Sequence, residues 1–253
     1  MPTGSRAIAV LDVDGTLTPS MLGIELLRTL HGDGACQATE LDALNALVDR
    51  SRSERGTSCA RTIAEANHGF AAVLAGLSAA RVADAARRTW CRVEADLFPF
   101  VPDLLSTLRS HGLHIVLLSG SPHEVIRVMA ARLGVRACQG AVMAAPGGVY
   151  NGRVRLPTGI PGVKRRTLGT LLRGHRVDLA RSYALGNSAA DAQILQLVGV
   201  PVAFEPERGL RERAERAAWH IADRHSVVAR THAALCGAER GEPVTREEEV
   251  TGC

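Results

Sequence analysis

Three short apolar runs in this chain each stop on residues able to do chemistry. They are AIAVLDVD (Ala7 to Asp14), HIVLLSGS (His114 to Ser121) and SYALGNS (Ser182 to Ser188). Rich in aliphatic residues and separated by helical stretches, they read as buried parallel strands, with Pro201 to Phe204 as a fourth. The pattern predicts an α/β fold, a Rossmann-like three-layer core around a parallel sheet. Sites in open α/β sheets lie at the carboxyl ends of strands, so Asp12, Ser119 and Asn187 are placed to converge.

Between Pro19 and Leu97 the character changes to amphipathic patterns such as Ile24-Leu27-Leu30 and Leu41-Leu44-Leu47-Val48, without a convincing strand. Residues 19–96 are therefore expected as an inserted helical cap over a core of residues 1–18 and 97–236. Phe98-Pro99-Phe100-Val101-Pro102 punctuates the return to the core. Gly140 to Val154 carries Gly-Gly and Asn-Gly turn signals and reads as a small hairpin. Residues 237–253, polar throughout, are expected as a disordered tail.

Composition narrows the function classes. A formal net charge of +4, with acidic residues interleaved among the arginines, lacks the one-faced basic footprint of a nucleic-acid binder. The six cysteines (Cys36, Cys59, Cys91, Cys138, Cys236 and Cys253) contain no CxxC pair, so they read as reduced thiols acting as small hydrophobes. The first apolar stretch is too short for a signal peptide, and Arg81 and Asp84 interrupt the most apolar region. A cytoplasmic protein without membrane or nucleic-acid partners is expected, as a monomer or a homodimer.

The most chemically pointed segment is Asp12-Val13-Asp14-Gly15-Thr16. Two carboxylates so spaced could be a solvated turn. A calcium loop is excluded, because no Glu follows at the required offset between flanking helices. Taken alone, Ser119 reads equally well as a turn former, and Lys164 as a solvated helix start. Lys164 nevertheless stands apart: it is the only lysine among 30 basic side chains, as though a compact ammonium were needed there.

DVDGT followed by Leu17-Thr18 resembles the first motif of the haloacid dehalogenase (HAD) superfamily. Ser119 in IVLLSGSP is similar to the second motif, Lys164 in PGVKRRTL to the third, and GNSAAD (Gly186 to Asp191) to the fourth. The likeness runs from Arg6 to Asp223. Three further stretches, FPFVPDLLSTLRSHG, YNGRV and PVAFEPERGLRERAERAAW, resemble the phosphoserine phosphatase-like subfamily with its helical cap of the C1 type. The resemblance implies a Mg²⁺-dependent phosphatase acting on a small phosphorylated metabolite. Asp12 would be the nucleophile that becomes an aspartyl-phosphate, and Asp14 the general acid and base. Gly15, Thr16, Ser119, Gly120 and Lys164 would bind the phosphoryl group. Asp12, Asp14, Asn187 and Asp191 would hold the metal. Phosphotransfer through the same intermediate, or a non-catalytic binding role, would use the same residues.

Two positions depart from the family pattern. Asn187 stands where the subfamily usually has Asp, removing one negative charge beside the metal, so weaker magnesium binding is expected. Met21 stands where phosphoserine phosphatases have a Glu that binds the substrate amine, which argues against a zwitterionic phosphoamino acid. Arg50, Arg52, Arg55 and Arg61 are candidates for gripping a second anionic group, and His68 and His123 for the site's periphery.

Overall fold

A computed structural model describes residues 5–53, 56–160 and 162–240. In chain order the elements are β1 (Ile8–Leu11), α1 (Leu22–Gly32), α2 (Ala38–Ser53), α3 (Gly56–Leu74), α4 (Ala79–Val93), α5 (Val101–Ser110) and β2 (His114–Pro122). There follow α6 (His123–Arg132), β3 (Ala137–Met143), β4 (Val154–Leu156), α7 (Val163–Leu171), β5 (Tyr183–Gly186) and α8 (Ala192–Leu195). The chain closes with β6 (Val200–Phe204), α9 (Arg208–Ala217), β7 (His220–Ala222) and α10 (Val227–Arg240).

The seven strands form one sheet in the order β4-β3-β2-β1-β5-β6-β7. All pairs are parallel except β3 with β4. Strand β1 lies at the middle, paired with β2 on one side and β5 on the other. The connections change direction on either side of β1, which opens a crevice beyond its carboxyl end.

Period-two alternation divides β1 between the two faces of the sheet. Ala9 and Leu11 join one apolar layer with α5 and α6, while Ile8 and Val10 join the other with Leu168 of α7 and Leu195 of α8. Helices on both faces make the three layers expected. The run of three buried aromatics, Phe98, Phe100 and Phe204, stacks with ring centroids 5.2–5.8 Å apart and fixes the chain's return to the core against β6.

Residues 19–97 hold α1 to α4 and, among the described residues, no strand. The two chain passages joining them to the sheet are bonded to one another. Phe98 N donates to Leu17 O at 3.0 Å, and Ser20 Oγ donates to Asp96 Oδ2 at 2.8 Å. Helix α4 carries its own N-cap, with Ser78 Oγ accepting from Arg81 N at 3.2 Å.

Three expectations shift. The stretch read as a hairpin is half right: Val142 and Met143 pair antiparallel with β4, but β3 begins at Ala137 and belongs to the parallel sheet beside β2. Strand β7 is an addition, too short for a periodic signal. Helix α10 continues past Cys236 to Arg240, so residues 237–240 of the expected tail are helical, and 241–253 lie outside the described residues. Among the described residues no helix is long and apolar enough to cross a membrane.

Candidate active site

Beyond the carboxyl end of β1 the backbone turns within a few residues. Gly15 takes φ +76°, and its N–H donates to Thr18 O at 2.7 Å. A β-carbon at Gly15 would lie 2.3 Å from Asn187 Nδ2, so the Asn187 amide packs directly on this turn. Glycine is required here twice over, for the left-handed backbone and for the close approach.

Asp12 is buried, with both carboxylate oxygens engaged. Thr16 Oγ1 donates to Oδ2 at 2.9 Å, and Lys164 Nζ to Oδ1 at 2.5 Å. The same ammonium donates to Asp191 Oδ1 at 2.6 Å. The other oxygen of Asp191, Oδ2, accepts from Ser188 N at 3.0 Å and from Ser188 Oγ at 2.9 Å. Gly186 makes room for that carboxylate, since a β-carbon there would come within 2.5 Å of Asp191 Cβ. Lys164 enters from the first turn of α7, launched by Gly162 at φ +83°.

Burial pushes the Asp12 carboxyl up to about 7, and the Asp191 carboxylate adds to the rise against the pull of Lys164. Burial opposes the charge on Lys164, yet the two carboxylates outweigh it and hold the ammonium well above the ordinary lysine range. Lys164 is thus shared by two buried carboxyl groups, Asp12 and Asp191, and the charge of Asp14 adds to the rise at Asp12.

Asp14 is fixed from three directions. Its Oδ2 accepts from Ser119 Oγ at 2.7 Å, and its Oδ1 accepts from Ser121 Oγ at 2.9 Å and from Leu22 N at 2.7 Å. Ser121 Oγ also accepts from Gly23 N at 2.9 Å. Met21, the N-cap of α1, gives that helix no side-chain cap. Asp14 and Ser121 therefore cap α1 from the core, tying the first inserted helix to the strand ends.

Not every expected phosphate contact faces the cavity. Ser119 is fully buried, its hydroxyl committed to Asp14 and to Ser121 N at 2.9 Å, and Thr158 Oγ1 donates to Ser119 O at 2.5 Å. Gly120 and Ser121 line the cavity in its place. Ser121 carried no signal in the sequence beyond its neighbourhood. Thr16 and Gly15 shape the turn and hold Asp12. Asp191 stands behind Lys164 rather than on the main cavity wall.

The arginine and histidine candidates lie elsewhere. Arg50 pairs with Glu65 at 2.8 Å on an exposed face, and Arg61 is exposed. Arg55 and the side chain of Arg52 fall outside the described residues. His68 is exposed, and His123 Nδ1 accepts from Gly140 N at 3.3 Å, with burial lowering its pKa.

A model of the haloacid dehalogenase-like hydrolases matches residues 9–196, from β1 through the Asp191 loop. The chain belongs to this family. Phosphoserine phosphatase SerB1 of Mycobacterium tuberculosis is 25% identical over 228 residues, covering 88% of this chain and 72% of that protein. A protein of unknown function from Bordetella pertussis shares the fold at a TM-score of 0.72, with 22% identity over 87% of this chain and all of its own. A phosphoserine phosphatase solved as a phospho-aspartyl intermediate analogue superposes at a TM-score of 0.62, with 15% identity over 87% of this chain and 94% of its own. Within this HAD chain, the four motif regions meet at one crevice.

Proposed function

We propose that this HAD chain is a Mg²⁺-dependent phosphatase that hydrolyses a small phosphomonoester through an aspartyl-phosphate on Asp12. The observation that carries this reading is Lys164 Nζ, set between Asp12 Oδ1 at 2.5 Å and Asp191 Oδ1 at 2.6 Å on the floor of the cavity between the strand ends and the inserted helices. A carboxylate at the end of a buried strand, braced by Thr16 and Lys164, is held in one orientation toward whatever enters. The related phosphoserine phosphatases act in the same chemical class, which supports the reading.

In the first half-reaction an Asp12 oxygen attacks phosphorus and the bond to the leaving oxygen breaks. Asp14, on the cavity wall, gives that oxygen a proton. In the second half Asp14 takes a proton from water as the water attacks phosphorus, releasing phosphate and restoring the Asp12 carboxylate. Lys164 offsets charge on the phosphoryl oxygens and keeps its place through Asp191. Gly120 and Ser121 border the space for those oxygens.

The donor set suits magnesium. The side chains of Asp12, Asp14 and Asp191 make the site one of hard oxygens, and Mg²⁺ is commonly held by one or two carboxylates together with substrate phosphate. Asp12, the backbone carbonyl of Asp14 and the side-chain oxygen of Asn187 would hold the ion, with Asp191 behind. Bound there, it would supply positive charge to the phosphoryl oxygens in addition to that of Lys164.

The test is phosphate release from a panel of phosphomonoesters with Mg²⁺, alongside Asp12→Asn. Release by the wild type and its loss in the variant are expected. A shortfall of phosphate made up by phosphorylated alcohol acceptors would favour transfer over hydrolysis. Absence of both reactions across the panel would leave a binding role.

A further inference from the structure

We infer that the cavity selects a phosphomonoester whose leaving group is a small, uncharged and largely apolar alcohol, aliphatic or monocyclic aromatic. This rests on the phosphatase reading above and specifies its substrate class.

The cavity of about 230 Å³ runs without interruption from Asp12 and Lys164 into the inserted helices. Its far wall is built by Ile24 and Leu27 of α1, Leu44 and Val48 of α2, and Ile63 and Phe70 of α3. Ile24, Leu27, Leu44 and Phe70 are themselves buried, so the wall belongs to the apolar core and not to a wet surface. Among the described residues that line the cavity, the charged side chains are Asp12, Asp14, Lys164 and Glu207, and all four come from the sheet side. From the helices the polar contributions are the neutral Ser51, Cys59 and Asn67.

A phosphate fits the charged end; the other end decides what it may be attached to. A zwitterionic leaving group would bring an ammonium and a carboxylate against a wall whose described side chains are mainly aliphatic and carry no counter-charge. Burying charge without a partner is heavily penalised. An uncharged hydrocarbon gains instead, since each buried methylene is worth about a fourfold factor in binding. The volume limits what the wall can cover: it holds roughly eight water-sized groups, so a longer chain would have to run out into solvent and gain nothing further from the wall. The wall also has a fixed relation to the chemistry, because Leu22 and Gly23 at the start of α1 are bonded to Asp14 and Ser121.

The experiment compares kcat/KM with Mg²⁺ for methyl, butyl, benzyl and dodecyl phosphate and for O-phosphoserine. In parallel, the Kd values of methylphosphonate and benzylphosphonate are measured on the same enzyme. Benzyl and butyl phosphate are expected to exceed both methyl phosphate and O-phosphoserine by tenfold or more, with dodecyl phosphate no better than butyl phosphate. Benzylphosphonate should bind at least tenfold tighter than methylphosphonate. Val48→Lys and the milder Ile63→Ala should both lower the benzyl-to-methyl ratio, the second without placing a charge in the wall. A flat series, a preference for O-phosphoserine, or equal phosphonate affinities would overturn the inference while leaving hydrolysis intact. Tight benzylphosphonate binding with no turnover of any ester would instead uphold the apolar site and overturn the hydrolytic reading.

Discussion

The Asn187 amide rests directly on Gly15, with no room for a β-carbon between them: an alanine Cβ at position 15 would lie 2.3 Å from Asn187 Nδ2. The turn after β1 and the loop after β5 thus fit together as a pair, one carrying Asp12 and Asp14, the other Asn187 and Asp191. Gly15→Ala must either displace Asn187 or distort a backbone at φ +76°. The strain costs about 1–3 kcal/mol of stability, and misplacing the aspartates should lower kcat/KM by about 10²-fold. Phosphate-release kinetics and thermal unfolding on the same preparation check both effects.

In the proposed metal site, Asn187 would set how firmly the ion is held. As a neutral oxygen ligand it contributes no charge, so Asn187→Asp is expected to lower the Mg²⁺ concentration for half-maximal activity, by about tenfold. Titrating magnesium against phosphate release in wild type and variant measures it. An unchanged requirement would mean that position 187 does not reach the ion.

Lys164 is the sole ammonium shared by two buried carboxylates. Lys164→Met removes it without a large change in volume, leaving Asp12 and Asp191 facing each other uncompensated. Breaking a buried pair this way costs about 3–5 kcal/mol. Activity should fall below detection, and the loss of melting temperature should be largest at neutral to alkaline pH. Acidification protonates the stranded carboxylates and recovers part of it. Thermal melts across pH 5 to 8 follow the effect.

The raised carboxyl of Asp12 makes a separate prediction for the metal-free protein. Its folded-state value of about 7 exceeds the ordinary aspartate value of 3.8, so the folded protein binds more protons between those limits. Stability should therefore decline as pH rises from about 4 to about 7 and level off above that. Asp12→Asn removes this slope, so in chelator the variant should melt higher than wild type at pH 8 and approach it near pH 5. A parallel pair of curves would contradict the environment described for Asp12.

Much of this was legible in the chain because the sheet's central strands are continuous aliphatic runs with no competing helical period. β3 was harder to read: Gln139 and Gly140 interrupt its pattern, and Gly140 is needed because a β-carbon would come within 2.4 Å of Ser121 O. Lys164 stood out as the only lysine, whereas Ser121 lies two residues from Ser119 and nothing local tells which hydroxyl faces the cavity. The answer depends on where Asp14 and Gly23 arrive in space. The absence of charge among the described lining residues of the inserted helices was likewise hidden, since Arg50 and Arg61 share helices with them and only packing turns these arginines away. Cys236, read as a small hydrophobe, has its sulfur 3.7 Å from His232 Nε2, a neighbour four residues earlier along α10.

The central claim is that Asp12 carries the phosphoryl group. Its most direct test is peptide mass spectrometry of reactions with Mg²⁺ and a turned-over phosphomonoester, quenched in acid within the first turnovers. A phosphorylated peptide with the modification on Asp12 is expected, absent from Asp12→Asn, which also releases no phosphate. An Asp12→Asn enzyme that still hydrolyses the ester, or a phosphoryl group found on another residue, would contradict it.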